Sequence, residues 1–93
     1  MTTLYNDDYG SIFEVEVEPH KELRITSKGI TNTFNIGATA RMDAAHASYL
    51  GEIVAITDNE VSLLPVLEEM KESNVRNINM GNFVAWNWEH EAA

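Results

Sequence analysis

The sequence predicts an α+β fold: an antiparallel β-meander of about 4–6 short strands packed with two α-helices, in a single small domain spanning residues 1–93. Three observations carry that expectation. Residues 13–18 alternate apolar and charged at every step, an alanine-rich stretch over residues 39–51 has helical spacing, and Pro65 constrains where a second apolar stretch can begin a helix. Ninety-three residues suffice for one self-sufficient core, near the lower end of the comfortable range.

Residues 1–10 read as a polar arm in which Asp7 and Asp8 lie between Tyr5 and Tyr9. Residues 11–18 read as a strand, with Phe13, Val15 and Val17 on one face and Glu14, Glu16 and Glu18 on the other. Pro19 begins a turn, because it cannot continue a central ladder. Residues 22–27 return as a second strand with Leu23 and Ile25 on its apolar face. If Glu18 pairs with Glu22, then Val17 faces Leu23, Glu16 faces Arg24, Val15 faces Ile25 and Glu14 faces Thr26. Lys28-Gly29 makes a tight turn, with glycine where a positive φ is wanted, and residues 30–36 form a third strand.

The next element is expected to be a helix. Thr39 can cap it, "ARMDAAHASYL" propagates it, and Gly51 stands at the left-handed C′ position. Met42, Ala45, Tyr49 and Leu50 then share a stripe. "EIVAI" is a short apolar strand, and "TDNE" fits either a capping box or a turn into a strand "VSLL". Proline is tolerated only in a first helical turn, so the second helix starts near residues 62–65 and ends near 73, with Leu64, Leu67 and Met70 inward. "VRNINMGNFVAWNWEHE" reads as two short strands about Met80-Gly81, with Val84, Trp86 and Trp88 on one face and a fraying tail at residues 90–93. That tryptophan face can serve as core or as interface.

Composition narrows the function classes. A hydrophobic share of 44% argues for a folded chain rather than disorder. No apolar run approaches the ~20 residues needed to cross a bilayer, and the first ten residues lack the basic and apolar regions of a signal peptide. Without cysteine there is neither a disulfide framework nor thiolate chemistry, so a cytoplasmic location fits, the host's cytoplasm if the protein is viral. Fifteen acids against six Lys and Arg give a formal charge of −9. Residues 1–22 hold six acids and one base, residues 51–93 eight acids and two bases, and only the middle stretch is positive. Such a field repels nucleic acid and anionic membrane and attracts basic proteins.

Catalytic signatures are missing from the sequence: no phosphate-binding glycine pattern, no zinc spacing and no nucleophile elbow. His20 falls in a turn, His46 follows Asp43 by three residues without a second such pair, and His90 sits between glutamates. No enzymatic activity, metal or other cofactor is therefore expected, and no family motif is recognisable. The residues expected to meet a partner are Glu14, Glu16, Glu18 and Glu22 on the hairpin, together with Asp7 and Asp8. Glu68, Glu69 and Glu72 join them, because they crowd the C-terminal half of the second helix, where they oppose its dipole. Trp86 and Trp88 would supply apolar anchors.

Two functions fit. The first is a small acidic inhibitor or adaptor that occupies a basic, nucleic-acid-binding surface of another protein, a DNA mimic of the kind phages use against restriction or CRISPR systems. Glu16 gains Arg24 in the expected register and Glu14 and Glu18 gain no such partner, so the turn-proximal acids, Glu18 and Glu22, most need an external one. The second is a structural or ligand-binding homodimer with acids serving solubility, favoured by the asparagine-rich faces at Asn32, Asn35, Asn77, Asn79, Asn82 and Asn87.

Overall fold

A computed structural model describes residues 2–6, 9–43, 48–66, 75–86 and 88–90, with backbone only at 43, 48 and 90, and the chain is mostly β. Four strands make the first sheet in the order β1-β2-β3-β4: β1 is Thr2–Asn6, β2 Ile12–Glu18, β3 Glu22–Ser27 and β4 Ile30–Asn35. The β2–β3 register is the expected one, with Glu18 opposite Glu22 and Glu16 opposite Arg24. Each turn has a local cause. Pro19 and His20 sit between Glu18 and Lys21, the Lys21 amide donates to the Glu18 carbonyl at 3.0 Å, and His20 takes φ 64°. Proline followed by a positive φ is the type II pattern. Lys28 and Gly29 take φ 53° and 77°, the doubly left-handed geometry that matches strand twist in a two-residue hairpin.

The second sheet runs β8-β7-β6-β5-β9, with β5 Thr39–Asp43, β6 Ser48–Ile56, β7 Glu60–Pro65, β8 Arg76–Asn79 and the two-residue β9 Glu89–His90. A short helix, α1 (Met80–Ala85), follows β8. Asn79 caps it by accepting the Gly81 amide on Oδ1 at 2.9 Å. Met80, Phe83 and Val84 are its buried residues, the i, i+3, i+4 stripe of an amphipathic helix.

Both sheets and α1 share one core. Val15, Leu23, Ile25 and Phe34 enter it from the first sheet, and Ile53, Ile56, Val61 and Leu63 from the second. A chain of rings crosses between them. Phe83 meets Phe34 edge-on (centroids 5.5 Å) and stacks on Trp88 (5.0 Å), which meets Tyr49 edge-on (5.6 Å). Backbone bonds tie the same layers: His20 N–H donates to Ile56 O at 2.9 Å, and Gly37 N–H to Ile53 O at 2.8 Å. A register shift between Ile53 and Ala55 re-phases β6, so Ile53 and Ile56, three residues apart, both face inward.

The α+β expectation is thereby corrected. Among the described residues α1 is the only helix; strands stand where the first expected helix was placed and where the second was to begin. Residues 39–43 and 48–51 belong to β5 and β6, and Gly51 is mid-strand rather than a helix cap. Met42 and Tyr49 stand seven residues apart, two helical turns by sequence, yet here they are cross-strand partners on the inner face. Leu50 faces the other way, opposite Arg41. Alanine's helix preference is worth only tenths of a kcal/mol per residue, and pairing with β7 and β9 outweighs it.

Residues 62–65 lie in β7, and the rest of the expected second helix, residues 67–73, is outside the described residues. The "TDNE" alternatives resolve to a turn, where Thr57 Oγ1 accepts the amides of Asn59 (3.3 Å) and Glu60 (3.1 Å). The strand expected through Phe83–Trp88 is instead α1 and its exit, because the Asn79 cap turns the chain helical at Met80. Residues 2–6, read as part of an arm, pair with β2 as β1.

Candidate functional site

Cross-strand partners share a face, so the register spells out the outer surface of the first sheet. One row runs Thr2, Glu16, Arg24, Thr33; the next runs Leu4, Glu14, Thr26, Thr31; at the turn end Glu18, Glu22 and Asn35 align. Four carboxylates thus gather on one side of two adjacent strands, while Val15 from the same strand is buried beneath them. Glu14, Glu16 and Glu18 are exposed and Glu22 is half-buried. A shallow cleft of about 250 Å³ opens there between Thr2, Glu14, Glu16, Arg24, Thr26 and Thr31.

Local cations meet most of these acids. Arg24 Nη2 is 3.5 Å from Glu16 and its Nε 3.6 Å from Glu22, and Lys21 Nζ is 3.5 Å from Glu18. The Glu16–Arg24 pair is the expected one. The expectation that Glu18 and Glu22 most need an external partner is corrected, because Lys21 reaches back three residues and Arg24 bridges two strands. Glu14 is the acid of the stripe that makes no ion pair among the described residues. The Glu18–Lys21 and Glu16–Arg24 pairs are solvent-exposed to a large degree, the regime in which an ion pair contributes under about 1 kcal/mol, while Glu22 is the more buried partner of the third.

Of the remaining expected site residues, the two tryptophans lie away from this face. Trp88 is buried (5% exposed) within the ring chain, whereas Trp86, at the C-cap of α1, is 44% exposed. Asp7, Asp8, Glu68, Glu69 and Glu72 lie outside the described residues. His20 is an exposed turn residue; His46 and the side chain of His90 are outside the described set. Among the described residues no group of three or more His, Asp or Glu side chains could hold a metal ion, and no helix is long and apolar enough to cross a membrane.

Sequence reasoning missed two grooves, both lined in part by Trp88. One, of about 320 Å³, lies between the inner face of β3–β4 and α1, with Ile25, Phe34, Phe83 and Val84 in its walls. The other, of about 590 Å³, lies where the inner face of the second sheet extends beyond the core, over Met42, Tyr49 and Ile78. Arg76, Asn77, Asn79 and Asn82 rim it, and Trp86 closes one side. The asparagine clustering in residues 77–82 was the available signal; Asn77 and Asn79 are strand residues as read, whereas Asn82 lies in α1. No protein-family model, no curated protein and no solved structure matches the chain. The residues alone therefore carry the functional reading.

Proposed function

We propose that this chain is a non-enzymatic acidic binding protein that lays the outer face of its first sheet against a basic surface of another protein. Nucleic-acid-binding surfaces are the natural targets, which would make the protein a DNA mimic acting in the cytoplasm. One observation carries the reading: Glu14, Glu16 and Glu18 project from an exposed face that packing does not require, above the buried Val15. Alternate residues on a strand are about 6.6 Å apart and neighbouring strands about 4.8 Å, so the carboxylates form an array of regularly spaced negative charge. The ion pairs to Arg24 and Lys21 are exposed and weak, so their exchange for a partner's arginines and lysines costs little. The net charge of −9 supports fast, steered encounter with a cationic partner.

A pull-down from lysate at low and high salt tests the reading. Basic nucleic-acid-binding proteins should be retained at low salt and released as salt rises. The triple change Glu14→Gln, Glu16→Gln, Glu18→Gln should weaken that retention while leaving thermal stability nearly unchanged. Undiminished retention by the triple variant would remove the face from the mechanism.

A further inference from the structure

We infer that the outward edge of β1 takes an extended basic segment of the partner by antiparallel strand addition, with the segment's alternate lysines or arginines reaching the carboxylates of β2. This rests on the reading of the carboxylate face as a surface for a basic protein, and it says how part of that partner is held. β1 pairs with β2 on one side and ends the sheet order β1-β2-β3-β4. The ladder fixes which of its backbone groups are left over. The two-residue loop Lys28-Gly29 makes Ser27 and Ile30 a hydrogen-bonded pair, and the bonding direction then alternates residue by residue. Carried across β3 and β2, that alternation bonds Thr3 to Val15 and Tyr5 to Phe13. The N–H and C=O groups of Thr2, Leu4 and Asn6 therefore turn away from β2, and among the described residues no strand pairs with them. This edge also lacks the features that keep strands from pairing. Residues 2–6 hold no charge, no proline and no register shift, and four of the five are exposed.

Charge decides what the edge accepts. Thr2, Leu4 and Asn6 share the outer face with their partners Glu16, Glu14 and Ile12. A residue opposite Leu4 on an added strand stands two strand spacings, about 9.6 Å, from Glu14, with Leu4 between them. Leu4 is 63% exposed, an apolar shelf for the stem of a lysine or arginine whose charged head goes on to Glu14. Glu14 makes no ion pair among the described residues, so this contact displaces none. A second basic side chain, opposite Thr2, passes a short side chain to reach Glu16, in the cleft that Thr2, Glu14 and Glu16 line. A second copy of this chain would instead bring an uncharged strand and a further −9 of charge, and would leave Glu14 unanswered.

Isomeric peptides test this on the unmodified protein. A short end-blocked peptide alternating lysine and threonine is compared with two derivatives, one N-methylated at its lysines and one at its threonines. Each is titrated at low salt while backbone amide resonances are followed by NMR. On an antiparallel added strand, the residues opposite Thr2, Leu4 and Asn6 turn their side chains to the carboxylate face and their own N–H groups to β1. Methylation at the lysines should therefore weaken binding about tenfold, whereas methylation at the threonines should leave it within about twofold of the parent. Shifts should centre on the amides of Thr2, Leu4 and Asn6, and Glu14→Gln should weaken the parent about threefold. Equal binding by the two derivatives, or the reverse order, would overturn strand addition; if that binding were still lost in the Glu14/Glu16/Glu18 triple glutamine variant, the basic-partner reading would stand. Absence of parent binding at low salt, or full binding by the triple variant, would overturn both. Protection of the Thr2, Leu4 and Asn6 amides that grows with protein concentration, without peptide, would overturn the assignment by showing a second copy on the edge.

Discussion

The first sheet buries one face and the second buries parts of both. Along β2 the exposed Glu14, Glu16 and Glu18 alternate with the buried or half-buried Phe13, Val15 and Val17. Along β7 the consecutive residues Val61, Ser62 and Leu63 are all buried, and the Ser62 hydroxyl is accommodated by donating to Asn77. A one-sided sheet must alternate, because water claims every second side chain. A sheet covered on both sides is free of that demand, so its strands lose the period that identifies them. The charged face of this protein therefore sits on the part of the fold with packing to spare. The groove sits on the part where packing is dense and then stops.

That contrast can be broken most severely at the ring chain that joins the sheets. Phe83 is fully buried between Phe34 and Trp88, so Phe83→Ala should cost about 3–5 kcal/mol. That is a large part of the ~5–15 kcal/mol holding a typical domain. Urea unfolding should shift accordingly, with both sheets lost together. Hydrogen-exchange protection persisting in β2–β3 after β6–β7 has opened would show instead that the first sheet stands alone.

A smaller effect is expected at Gly51, where an added Cβ would come 2.9 Å from Tyr49 Cε1 and 3.1 Å from Leu63 Cβ. Gly51→Ala should destabilise by about 1–3 kcal/mol through overpacking. At about 4–8 °C per kcal/mol for a chain of this size, calorimetry will resolve it. An unchanged Tm would mean that the Tyr49 ring swings aside freely and the second sheet is looser than its burial implies.

Asn79→Ala removes the cap of a helix only six residues long and should cost about 1 kcal/mol. Thermal unfolding measures that cost, and amide exchange at Gly81 should accelerate. The smallest change belongs to the charged face: Arg24→Gln breaks the pairs to Glu16 and Glu22 yet should move stability by less than about 1 kcal/mol. A larger loss, insensitive to salt, would show that the face is structurally committed rather than available to a partner.

Legibility in the sequence followed the same division. The β2–β3 register was readable because alternation, Pro19 and Lys28-Gly29 all act within a few residues of one another. The candidate carboxylate face was readable for the same reason, although the compensation of Glu18 by Lys21 went unread. The helix expected over residues 39–51 failed because Met42 and Tyr49 fit two geometries equally well. A spacing of seven places them on one helical stripe or opposite each other across a hairpin. Only the neighbours β7 and β9 distinguish these, and they arrive from residues 60–65 and 89–90. The Asn79 cap is a local signal that was available, but the apolar residues after it also suit a strand.

By itself, then, the sequence determined the one-sided hairpin, its turns, its register and the acidic face that hairpin presents, since each depends on contacts between near neighbours in the chain. Tertiary structure decided that alanine-rich residues 39–43 and 48–51 become strands. It also sent Trp88 into the core while Trp86 stayed half outside, and it brought Met42, Arg76, Asn79 and Trp86 to one groove. Those outcomes depend on pairing and packing between segments up to fifty residues apart. Free energy of that kind is set by which surfaces remain to be covered once the whole chain has closed, and no local pattern encodes it.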